Sequence, residues 1–88
     1  MMSDKVKERL RRLGQTDKEL LRQKLRRVGL TPAEFFIMEK RYAENLPFKQ
    51  IYPALFMEER SMYRHHKTAI EKTVDTAIAE FLSPFQIS

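Results

Sequence analysis

At 88 residues, with 33% charged and 42% hydrophobic content, the chain can bury one small core and is too apolar for intrinsic disorder. No cysteine is present, which excludes disulfides and thiolate metal sites. No apolar run nears the roughly 20 residues of a membrane helix. The net charge of +5 is uneven: residues 1–29 hold ten Lys/Arg against four Asp/Glu, whereas residues 73–88 carry only Asp75 and Glu80.

Such a basic N-terminal third suits a polyanion, because neutralising phosphates releases counterions; a solvated lysine- and arginine-rich helix face is the plainer reading. The basic N-terminus lacks an apolar signal core, so a cytoplasmic location is the default expectation. Without an internal repeat or a low-complexity linker, one domain over residues 1–88 is expected. It divides into a basic helical region (1–29), a central region (30–73), and a helix extension with a tail (74–88).

Ser3 can cap a first helix in which Val6, Leu10 and Leu13 recur at helical spacing. Gly14 offers a stop, since glycine enters the left-handed C-terminal conformation without steric cost. Thr16-Asp17 can cap a second helix with Leu20, Leu21, Leu25 and Val28 on its apolar side and Gly29 at its end. Lys18, Arg22 and Arg26 repeat every four residues on the outer side, a ladder able to follow a phosphate backbone. Fusion of the two segments through Gly14 would cost about 1 kcal/mol relative to alanine, and the break is preferred.

Thr31-Pro32-Ala33-Glu34 is a capping box with proline at the first helical position. The helix that follows buries Phe35, Ile37 or Met38, and Tyr42, and keeps Glu39, Lys40 and Glu44 outside. Asn45 can close it in the left-handed conformation, and Pro47 can start the next helix. Deep in a helix Pro53 would cost about 3 kcal/mol, so the helix from Pro47 is expected to be short, bent, or begun again around Pro53.

Residues 47–70 organise the rest. A short apolar-faced segment (Phe48, Ile51, Ala54, Leu55) breaks at Phe56-Met57 and gives way to a long helical run from Glu58. Met62, Ala69 and Ile70 share one face of that run, and Arg60, Tyr63, Arg64 and Lys67 share the other. Two helices joined by a break, the second cationic and aromatic on its outer face, are what a helix-turn-helix requires. Further on, Ala69, Thr73, Ala77 and Phe81 form one apolar row and Ile70, Val74, Ile78 and Leu82 the next, ending at Ser83-Pro84. This face can close over the N-terminal helices, or pair with itself in a homodimer that matches a two-fold DNA site.

With Leu30-Thr31-Pro32-Ala33-Glu34, Lys40-Arg41-Tyr42, Ile51 and Leu55, and the run from Met62 to Ile70 in hand, residues 30–73 resemble the fourth region of bacterial sigma factors. They are also similar to small phage regulators built on that plan. The resemblance implies an all-α bundle of four to five helices containing a helix-turn-helix, with a long C-terminal recognition helix in the major groove of double-stranded DNA. Carried over by position, Glu59, Arg60 and Arg64 would read bases, with Arg60 or Arg64 donating to guanine and Glu59 accepting from cytosine. Tyr63 and Lys67 would touch sugar-phosphate, and Arg41 and Lys49 are further phosphate candidates. The chain departs from the family pattern at Tyr52, Pro53, Phe56 and Glu58.

Adjacent His65 and His66 point about 100° apart on a helix and lack further ligands at metal spacing. A half-buried neutral ring is expected for His65 and a polar contact for His66, and Met38, Met57 and Met62 read as core filler. No nucleophile–base pair, phosphate loop or carboxylate dyad is present, so neither an enzyme nor a cofactor is expected. The sequence therefore points to a DNA-binding transcriptional regulator of phage or mobile-element type. The alternative is a protein-interaction module of the same fold that binds RNA polymerase or another regulator.

Overall fold

The computed structural model describes the backbone of residues 2–82 and the side chains of residues 3–77. The described chain is all-helical, with α1 at Met2–Thr16, α2 at Lys18–Arg26, α3 at Pro32–Met38, α4 at Phe48–Ile51 and α5 at Glu59–Leu82. A π-helical turn at Glu39–Ala43 extends α3, and a 3-10 turn at Pro53–Leu55 follows α4.

Ser3, expected to cap α1, lies inside its first turn. Gly14, expected to stop the helix, lies within α1 and is buried. A Cβ there would stand 1.8 Å from the carbonyl oxygen of Tyr42, so the missing side chain is what lets the π-turn approach α1. The break falls at Asp17, whose non-helical backbone and side chain (accepting from Leu20 N at 3.0 Å) start α2. Leu21 and Leu25 point inward, but Leu20 is exposed: α2 is rolled so that Arg22 faces the π-turn, leaving Leu20 outside the buried arc. Gly29, at φ +77°, takes the chain out of α2 in the left-handed region.

The capping box of α3 forms as the local sequence dictates. Thr31 Oγ1 accepts from Glu34 N at 3.2 Å and Glu34 Oε1 accepts from Thr31 N at 2.9 Å. Glu34 is itself buried, and the same carboxylate takes a 2.7 Å ion pair from Lys72 of α5. Burial alone would raise its pKa, but the Lys72 bond and the Thr31 backbone N–H outweigh that and hold it below the usual value. After the π-turn, Asn45 at φ +56° reverses the chain, and Leu46 N donates to Lys40 O at 3.0 Å.

Two clusters make the interior. The larger joins Val6 and Leu10 of α1, Leu21 and Leu25 of α2, Met38, Tyr42 and Ala43, and Ala69 and Ile70 of α5, with Val74 and Ala77 packed at its edge. The apolar face of α5 is thus buried within the chain at Ala69 and Ile70, and only partly covered at Val74 and Ala77. The rest of its expected rows, Ile78, Phe81 and Leu82, lies outside the described side chains, and Ser83-Pro84 and the tail lie outside the described residues. The smaller cluster centres on Ile37, Ile51 and Met62, with Phe48, Tyr52, Leu55 and Met57 around it. It holds α4, a single turn of four residues, against the start of α5.

Pro53 does begin the chain again, as the first residue of the 3-10 turn, where its missing N–H costs nothing. Ala54 is exposed rather than packed. Phe56 then adopts φ 54°, ψ 38°, a left-handed conformation in which glycine would be unstrained, and the residue is 98% exposed.

Candidate nucleic-acid interface

The first three turns of α5 present one bare face. Glu59, Arg60, Tyr63, Arg64 and Lys67 are all exposed, because Met62, His66, Ala69 and Ile70 take the inward positions at helical spacing. Arg60, Arg64 and Lys67 make no ion pair with any described residue. They span about 10 Å along the axis at 1.5 Å per residue. Glu58 precedes them, its carbonyl accepting the first helical bond from Met62 N at 3.0 Å.

Aromatic contacts connect this face to the first residue of α4. The Phe48 ring stacks edge-on with Tyr63 at 5.1 Å and with His66 at 5.0 Å. The Arg41 guanidinium lies 4.3 Å over the same Phe48 ring, with Nη1 donating to Leu46 O at 3.2 Å. Arg41 is therefore half-buried and directed by two contacts, yet it stands beside the α5 face. Lys49, on α4, is exposed and free of ion pairs among the described residues.

Beneath that face His66 is buried, and its Nε2 pairs with the Tyr42 hydroxyl at 2.8 Å. Burial first, and then the charges of Lys7, Arg41 and Arg11, push its pKa down to about 4. Burial likewise raises the Tyr42 phenol, against the opposing pull of Arg11 and Arg41. At neutral pH a neutral imidazole and an intact phenol satisfy each other, with no charge placed in the core. His66 thus makes the polar contact expected of it from a buried position, while His65 is the half-buried neighbour. No group of three His, Cys, Asp or Glu among the described residues is arranged to hold a metal ion.

The α2 ladder has different neighbours. Lys18 Nζ donates to Gly14 O at 3.1 Å and to Ala43 O, tying α2 to the end of α1 and to the π-turn. Arg22 pairs with Glu39 at 2.8 Å and with Glu19 at 3.8 Å, and Arg26 pairs with Glu19 at 3.6 Å. All three cations have partners inside the molecule. Sequence reasoning passed over Lys7 and Arg11, which bear on His66 from α1. Their spacing of four, offset by one from Val6 and Leu10, was the available signal.

No helix among the described residues is long and apolar enough to cross a membrane. No family model matches the chain, and neither a curated protein nor a solved structure matches it.

Proposed function

We propose that the chain is a sequence-specific DNA-binding transcriptional regulator of phage or mobile-element type. In this reading α4 and α5 serve as a helix-turn-helix related to the fourth region of sigma factors, and the first three turns of α5 enter the major groove. One observation carries it: Arg60, Tyr63, Arg64 and Lys67 stand on one exposed helix face without intramolecular ion pairs among the described residues. A helix about 10–12 Å across with its side chains fits a groove about 12 Å wide. Arg60 and Arg64 have the donor geometry for guanine, while Tyr63, Lys67, Lys49 and Arg41 suit the sugar-phosphate backbone. The work takes place in the cytoplasm, and a symmetric dimer would let two copies meet a two-fold site.

Titration of duplex DNA across salt concentrations tests the reading. Affinity should fall steeply with salt, and R64A should weaken binding to a selected site by about 1–3 kcal/mol. Binding that is absent, or indifferent to salt, overturns it.

A second reading draws on the turn before α5. Phe56, 98% exposed in a left-handed backbone, stands beside exposed Glu58 and Glu59. An aromatic knob with acidic flanks suits a protein partner such as RNA polymerase. Loss of that partner on Phe56→Gly, with duplex binding unchanged, would favour it.

A further inference from the structure

Between α1 and the π-turn lies a notch of about 30 Å³ whose lining includes Arg11, Gln15, Lys18, Arg41 and Asn45. Three of these five are cations, and no carboxylate lines the notch. Two of the cations are already held in place. Lys18 is anchored on the Gly14 and Ala43 carbonyls, and Arg41 on the Phe48 ring and the Leu46 carbonyl. A guanidinium has five N–H donors, and Arg41 uses one of them there. Arg11 is exposed and touches Glu8 only at 3.9 Å. Lys7 stands one turn earlier on α1, and like Arg11 and Arg41 it acts on the buried His66, whose pKa is lowered first by burial and then by these charges.

We propose that this notch is a phosphate site, in which Arg11, with Lys7 beside it and Arg41 opposite, binds one backbone phosphate of the duplex that receives α5. The inference rests on the DNA-binding reading and adds to it a contact point on α1. Continuity supports the choice of a DNA phosphate over a free one. The Phe48 ring that carries Arg41 also touches Tyr63, so Arg41, which lines the notch, is joined to the α5 face through one ring. Arg41, already anchored, loses little freedom when a phosphate arrives, which favours binding.

The test compares the wild-type protein with R11Q, K7Q/R11Q and a charge-matched control, R27Q, by fluorescence anisotropy with a mixed-sequence duplex over a salt series. Arg11 and Arg27 are both exposed, so unfolding midpoints should stay together and report intact folds. The slope of log affinity against log salt should flatten by about one for R11Q and by no more for K7Q/R11Q, since both variants release the same single phosphate, with R27Q at the wild-type value. Equal slopes for R11Q and wild type, or equal flattening by R27Q, overturn the notch while leaving DNA binding in place. If the wild-type protein binds no duplex, the DNA-binding reading fails, and inorganic phosphate followed by amide NMR decides the notch separately. Shifts at Gln15 and Asn45 that vanish in R11Q then support an anion site, and their absence overturns it.

Discussion

On α2 the cations Lys18, Arg22 and Arg26 recur every four residues, and on α5 Arg60, Arg64 and Lys67 recur at nearly the same period. The α2 row faces Glu19, Glu39 and two backbone carbonyls, and each of its members is bonded to them. The α5 row faces outward with no partner among the described residues. What separates the two is the neighbouring surface. Glu39 arrives on the π-turn after α3, so Arg22 meets a carboxylate with both side chains about three-quarters buried. At the start of α5 no described carboxylate is brought to Arg60, Arg64 or Lys67. Helical period places cations on a face, and tertiary structure decides whether the face stays open.

The hardest way to break the α2 side of this contrast is at its seam with the π-turn. Gly14→Ala forces a Cβ toward the Tyr42 carbonyl and should destabilise the protein by about 3 kcal/mol or more, read by urea unfolding. Acid should act next, from beneath the α5 side. The pKa of His66 is about 4 in the folded protein against an ordinary 6.5, so the unfolded chain takes up the proton first. Its contribution is fully present above about pH 6.5 and is lost as pH falls through about 4. The loss should approach about 3 kcal/mol, and His66→Gln should flatten that pH dependence.

Two arginines then give the direct comparison. R64A should weaken duplex binding by about 1–3 kcal/mol while changing unfolding stability by less than about 0.5 kcal/mol. R22A should do the reverse: about 1 kcal/mol of stability lost with the partly buried Glu39 pair, and a salt slope of duplex binding that does not move. If R22A instead flattens that slope by about one, the α2 row is a phosphate track after all and the contrast collapses.

Features governed by near neighbours were legible in the sequence. The Thr31–Glu34 box, the left-handed Asn45, the restart at Pro53 and the two faces of α5 each depend on residues within about two helical turns. Features set through space were not. The stop assigned to Gly14 failed because its role comes from Tyr42, and the outward ladder on α2 lost Arg22 to Glu39, 17 residues away. The partner of Glu34 lies 38 residues away on α5. His65 and His66 could be set 100° apart by period, but which of them turned inward depended on Tyr42. Within the candidate interface, the α5 residues followed from periodicity, whereas Lys7 and Arg11 emerged only once α1 had been packed against the π-turn.

The Glu34 carboxylate closes the cap of α3 and grips Lys72 in the same motion. That grip acts as a key in a slot: α5 cannot roll about its long axis without pulling Lys72 off a buried anchor. The azimuth at which Arg60 and Arg64 point is therefore held, beyond the packing of Met62, Ala69 and Ile70, by a contact about two to three turns downstream. Lys72→Met would alter neither arginine, yet loosen the aim of both.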